Sequence, residues 1–212
     1  MTSITTKPVI LANAPVNDDT LNLVARIPTD QLLHIVEAGF ITKLTDRDMM
    51  RIAVLLAQKG YQEGGCAIGG VVRDNETALI LGKGHNRHIQ NNLLYWHGET
   101  DAYNDAYVLS NPDFSKATAF TTLTPCSVCT ALTFSHSFSR IVIGNRLDGA
   151  NAENEALLQS KGVKVDILED ELGKALYAKY TAEKPEQDMR DWQGQAGVVR
   201  AGLVGHDCAA HK

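Results

Sequence analysis

Four side chains in this 212-residue chain have the types and spacing to do chemistry: His97, Glu99, Cys126 and Cys129. They stand in two short stretches, His97-Gly98-Glu99 and Pro125-Cys126-Ser127-Val128-Cys129. One imidazole and two thiolates supply three ligands of the kind zinc prefers, and a zinc site with three protein ligands keeps its fourth position for water. Glu99 is too close in sequence to His97 to be a comfortable fourth ligand, and it is well placed to move a proton. The order His-x-Glu, then Pro-Cys-x-x-Cys, is specific because four chemically distinct residues must all fall in place. A Cys-x-x-Cys pair alone also fits a redox dithiol or half of a structural zinc knot. A knot wants a further Cys or His nearby. None lies between Cys129 and His136, and His136 falls on the far side of the same expected helix. The pattern therefore predicts a catalytic Zn2+ held by His97, Cys126 and Cys129, with Glu99 as the proton-transfer group.

The elements that must position these residues follow from the rest of the chain. Thr45 is an N-cap with Asp46 and Asp48 in the first turn of a helix. That helix carries an apolar face of Met50, Ala53, Val54, Leu56 and Ala57 and ends at Gly60 and Gly64-Gly65. Cys66 to Arg73 reads as a buried strand and Ala78 to Gly84 as its hairpin partner, turning through Asp74-Asn75-Glu76-Thr77. Cys66 reads as a small core residue, and Asn86 lies in the loop after the hairpin, where its type also suits a turn. A helix is expected from His97 to about Leu109, a strand over Ala117 to Leu123, and a helix opening at Cys126. Starting helices at the ligands has a physical use, because helix N-termini favour thiolates and anionic oxygen. Then come a strand from Arg140 to Gly144, a helix from Ala152 to Ser160, a strand from Val163 to Ile167 and a helix from Asp170 to Thr181. This order predicts an α/β fold, a three-layer α/β/α sandwich with a mixed central sheet.

Residues 1–44 read as an N-terminal extension with a short capped helix near Gln31–Val36, residues 45–185 as the zinc-bearing domain, and residues 186–212 as a C-terminal segment. That last segment is polar and glycine-rich. It contains Trp192 and then a tail in which His206, Cys208 and His211 need no metal role. The net charge of −5 argues against a surface for polyanions, so no nucleic-acid partner is expected. No apolar run is long enough to span a bilayer, and the first residues lack a secretory apolar core. No membrane partner is expected, and the expected location is cytoplasmic. Four cysteines, two of them in a metal-type pair, suit a reducing compartment.

From about Lys59 to Trp192 the chain resembles the yeast-type cytosine deaminases of the cytidine-deaminase-like superfamily. The likeness is carried by Gly60-Tyr61-Gln62-Glu63-Gly64-Gly65, Ile68-Gly69-Gly70, Leu81-Gly82-Lys83-Gly84-His85-Asn86, His97-Gly98-Glu99 and Thr121-Thr122-Leu123-Thr124-Pro125-Cys126. The resemblance implies a homodimer and a small-molecule heterocyclic substrate. It implies that Asn86 bonds the substrate ring, that the Gly98 backbone meets the substrate carbonyl, that the Thr124 carbonyl meets the departing amine, and that Trp192 closes the pocket. Three positions depart from the family pattern. Gly149 stands where the family has phenylalanine, Gln195 where it has aspartate, and Trp96 where a smaller aliphatic residue is usual. The expected activity is hydrolytic deamination of a cytosine-like free base. Guanine or a creatinine-like cyclic amidine, and more remotely a nucleoside or tRNA, stand as alternatives. The departures at Gly149 and Gln195 predict that cytosine is a weaker substrate than some other small amino-heterocycle.

Overall fold

The computed structural model describes residues 45–147 and 152–191. The expected helix near Gln31–Val36, and the positions Gly149, Trp192, Gln195, His206, Cys208 and His211, lie outside the described residues. The first helix, α1 (Asp46–Gln62), opens with a capping box: Asp48 N–H donates to Thr45 Oγ1 at 3.3 Å, and Thr45 N–H donates to Asp48 Oδ2 at 2.6 Å. It runs two residues past the expected stop at Gly60 and ends where Gly64 takes a φ of +91°, a conformation that costs glycine little.

Strands β1 (Gly69–Asp74) and β2 (Ile80–His85) form the hairpin. Asp74 Oδ1 closes its turn by accepting from Glu76 N–H, Thr77 N–H and the Thr77 hydroxyl. The ladder begins at Gly69, not Cys66. Cys66 to Ile68 are buried without regular pairing and belong to a separate cluster with Tyr177 and Tyr180. A short helix α2 (His88–Asn91) follows, then α3 (Gly98–Ser110), β3 (Ala117–Leu123), α4 (Ser127–Ser135), β4 (Arg140–Asn145), α5 (Ala152–Ser160), β5 (Lys164–Ile167), α6 (Glu171–Glu183) and α7 (Pro185–Asp191).

The described sheet has the order β2-β1-β3-β4-β5, with β1 antiparallel to β2 and β3, and β3, β4 and β5 mutually parallel. Both faces are covered, as the order of elements predicts. Val71, Phe120 and Val142 meet Met49, Met50, Ile52, Ala53 and Leu56 of α1 on one face. Val72, Ala119, Ile141 and Ile143 meet Ala102, Tyr103 and Ala106 of α3 and Leu158 of α5 on the other. Adjacent residues in each strand thus serve opposite layers, the period-two pattern of a sheet. The central strand β3 is buried along its whole length, as expected of a strand covered on both faces. In the register β3 and β4 end together, with Leu123 opposite Asn145. The segment leaving β3 carries Cys126 into the site.

Candidate active site

Two helix N-termini converge on one point, and a ligand candidate caps each. His97 is the N-cap of α3, and its N–H donates to Thr100 Oγ1 at 2.8 Å. Cys126 is the N-cap of α4, and its Sγ accepts from Cys129 N–H at 3.5 Å. The ligand atoms of His97, Cys126 and Cys129 lie within 4.8 Å of one another, and all three residues are buried. His97 Nδ1 is 3.4 Å from Cys126 Sγ and 3.5 Å from Cys129 Sγ. Zinc–nitrogen and zinc–sulfur bonds of ~2.05 and ~2.3 Å at a tetrahedral angle give an edge of about 3.6 Å. The donor set and its spacing therefore fit zinc. His136, at the C-terminus of α4, is exposed and packs on Phe114, away from this group.

The sulfurs are prepared for a cation. The Cys129 thiol, donating to Cys126 Sγ, holds Cys126 down to about 4 against the opposing effect of burial. The same bond, followed by burial, pushes Cys129 well up. The pair thus carries one negative charge, and binding a metal drives off the second proton.

Glu99 lies on the first turn of α3 and is 4% exposed. Burial, then the Cys126 thiolate, pushes its carboxyl up, towards the range useful for proton transfer near neutral pH. A bound dication pulls the other way. Thr121 Oγ1 lies 3.0 Å from Glu99 Oε1 and 3.0 Å from the Leu123 carbonyl oxygen, so its hydroxyl can donate to either. Thr121 stands opposite Gly70 in the register, and a Cβ at Gly70 would come within 2.7 Å of the Gly98 carbonyl oxygen. The bare backbone of Gly70 lets α3 press onto the sheet and brings Glu99 to the β3 hydroxyl. In the sequence Thr121 is one of two adjacent strand threonines, and its type alone does not give it this part. Strand alternation pointed to it, because Thr121 is two residues from Ala119 and shares the face towards α3. Thr121→Val is expected to lower kcat about tenfold, the size of one hydrogen bond to a charged group, while Thr121→Ser stays near the parent rate. Steady-state kinetics of the two variants checks this.

The remaining candidates sit around this centre. Asn86 is fully buried, and its Oδ1 accepts from His88 N–H at 3.0 Å, which opens α2. Its turn role is thus present in the fold. Gly98 is the first residue of α3, where helix N–H groups lack an intrahelical partner. Thr124 is buried, and its N–H donates to the Asn145 carbonyl at 3.0 Å, which fixes the peptide leading into Pro125 and Cys126. Asn154 of α5, which sequence reasoning passed over, donates through Nδ2 to the Pro125 carbonyl at 3.1 Å and steadies the same turn. Behind Cys129, its carbonyl accepts from Thr133 Oγ1 at 2.7 Å, and Thr133 meets the Tyr103 hydroxyl at 2.8 Å.

The model of the cytidine and deoxycytidylate deaminase zinc-binding region matches residues 43–145. A cytosine deaminase of Candida albicans is 36% identical over 152 residues, which cover 72% of this chain and 97% of that protein. A tRNA-specific adenosine deaminase of Buchnera aphidicola is 34% identical over 101 residues, 47% of this chain and 61% of that one. Among solved structures, a guanine deaminase from Nitrosomonas europaea superposes with a TM-score of 0.61 at 18% identity, covering 74% of this chain and 95% of that one. At that identity the likeness speaks for the fold alone. The family model and the cytosine deaminase relative indicate a zinc-dependent hydrolytic deaminase, and the ligand group fits one. The chain belongs to the cytidine and deoxycytidylate deaminase family, in which its extensive likeness is to a cytosine deaminase.

Proposed function

We propose that this chain hydrolytically deaminates a small free amino-heterocycle of the cytosine type, releasing the keto product and ammonia, and that His97, Cys126, Cys129 and Glu99 carry the reaction. The observation behind this reading is the buried three-ligand group with Glu99 one residue into the same helix. When held there, zinc would supply Lewis acidity and an activated water at its open position. Glu99 accepts a proton from the attacking water and passes it to a ring nitrogen. It then takes the proton of the newly added hydroxyl and delivers it to the amine, so that the carbon–nitrogen bond breaks, ammonia leaves and the oxygen stays on the ring as the keto group. One carboxylate serves both steps because it is desolvated and held beside water and ring alike. The Thr124 carbonyl accepts from the departing amine, the first-turn N–H of Gly98 donates to the substrate carbonyl, Asn86 bonds the ring edge, and Trp192 closes over it.

Residues 45–185 form the deaminase unit in this reading, with 1–44 as an extension and 186–212 as a pocket-closing segment and tail. The enzyme works in the cytoplasm as a homodimer without nucleic acid or membrane. Among the described residues, no helix is long and apolar enough to cross a membrane. Exposed apolar side chains gather at Leu93–Tyr95 and Tyr107–Leu109, a distribution that suits a protein partner. Sedimentation is expected to give twice the chain mass, and a tRNA gel shift is expected to show no complex.

An ammonia-release screen of the zinc-loaded protein across cytosine, guanine, nucleosides and creatinine-like rings tests the activity. Free rings are expected to react and nucleosides to fail. Gly149 in place of an aromatic wall and Gln195 in place of a carboxylate predict that cytosine is not the best of the panel, because a site built to pair one group discriminates against analogues lacking it. Cytosine ranking first, with Gly149→Phe leaving the order unchanged, overturns that ranking. Release from none of the rings overturns the activity.

A further inference from the structure

Asp101 of α3 is 6% exposed and gathers three groups from one loop. Its Oδ1 accepts from the Trp96 indole Nε1–H at 2.7 Å. Its Oδ2 accepts from His85 N–H at 3.1 Å, and the Arg87 Nε lies 3.1 Å from the same oxygen. The loop is closed at its neck, where Arg87 N–H donates to the Trp96 carbonyl at 2.8 Å. The residues so held are the two neighbours of Asn86 and the residue directly before His97. Both Trp96 and the carboxylate that binds it belong to this chain's own sequence around the ligand histidine, and neither serves the proton transfer.

We propose that Asp101 is a positioning residue: its one buried carboxylate clamps the 85–96 loop to the helix that carries Glu99, and so sets where Asn86 stands relative to His97. This rests on the deaminase reading for its consequence, though not for its geometry. A buried carboxylate that accepts two N–H bonds and faces a guanidinium holds its partners more firmly than neutral pairs do. Loss of that clamp lets the loop relax around a site in which displacements of about 1 Å are felt. The kinetic effect should fall on ring binding through Asn86 more than on the proton transfers of Glu99.

Asp101→Asn keeps the size and loses the charge. Its one acceptor oxygen serves the side where the His85 N–H and Arg87 both lie, so its NH2 meets the Trp96 indole N–H and that bond is lost. With the best ring of the panel, KM is expected to rise about tenfold while kcat changes by less than about threefold and zinc stays bound. Trp96→Phe, which removes a single donor and leaves the ion pair, is expected to give a smaller rise in KM. Combined with Asp101→Asn it should add almost nothing, because the two changes break the same bond. In a Trp192→Phe background, where Trp96 is the remaining indole, Asp101→Asn is expected to shift its emission to the red. Unchanged KM in both single variants, with only the melting temperature lowered, overturns the positioning role. Unmoved emission overturns the clamp itself. A parent protein that turns over no ring defeats the deaminase reading instead, and the emission experiment still decides the clamp. If Asp101→Asn fails to fold, Trp96→Phe carries the KM test alone.

Discussion

Glu99→Gln is expected to keep its fold and its zinc and to lose roughly a hundredfold to ten-thousandfold of turnover, the usual contribution of a positioned acid–base group. The amide has the shape of the carboxylate, and its oxygen can still accept from Thr121 Oγ1, which lies 3.0 Å from Glu99 Oε1 in the parent. A neutral amide at this buried position also removes a desolvated charge, so stability should not fall. What disappears is the capacity to take a proton and give it back. In the proposed mechanism Glu99 acts on protons in flight while Asn86 and Gly98 hold the ring, so the loss belongs in kcat. Single-turnover ammonia release with zinc measured in the same sample separates this from loss of metal. Near-parent turnover at full zinc occupancy would show that another group shuttles the proton. Thr121→Val supplies the graded comparison: it leaves the carboxylate in place and removes only its anchor.

Much of this was legible in the sequence, and what was not has physical reasons. The strand Ala117–Leu123 and the helix Ala152–Ser160 stand where pattern and flanking residues put them. Cys66 to Ile68 read as strand because an apolar run does not distinguish a paired strand from a buried unpaired segment. The helix α7 has the polar sequence Pro-Glu-Gln-Asp-Met-Arg-Asp, and little in it announces a buried face. It is recruited by the Tyr177 hydroxyl, which donates to Asp188 Oδ1 at 2.6 Å, and its start suits proline at the first helical position. The ligand set was legible because its members are local pairs with fixed spacing. Asn154 and Asp101 were not, and for Thr121 strand alternation gave the face but not the partner. Each acts through a partner supplied by another segment of the fold: the Pro125 carbonyl, the 85–96 loop, and Glu99 of α3 respectively. Asn86 lies between the two cases. Its residue type suggested a turn, the resemblance suggested a substrate contact, and the Asx bond to His88 N–H fits the first without excluding the second.

Removing either sulfur is expected to abolish both metal and activity. Cys126→Ala and Cys129→Ala should each fall from about one zinc per chain to a small fraction of that, with no measurable ammonia release, because two protein ligands make a poor site for zinc. The two variants should differ in stability. Cys129 is completely buried beside the cluster of Leu123, Tyr177 and Tyr180, so its truncation leaves a void as well as a vacant ligand position. Cys126 is the N-cap of α4, and its loss also strips the acceptor from Cys129 N–H, so the first turn of that helix should loosen. The bound ion stabilises the folded chain by mass action, so both proteins should melt below the parent, and added zinc should restore little of the difference. Cys66→Ala is the control. Cys66 is equally buried but meets the Tyr180 hydroxyl at 3.0 Å and stands outside the ligand group. It should lose some stability and keep its zinc and its turnover. Elemental analysis of the three variants decides the assignment: full occupancy in Cys126→Ala, or loss of zinc from Cys66→Ala, would place the metal elsewhere in the chain.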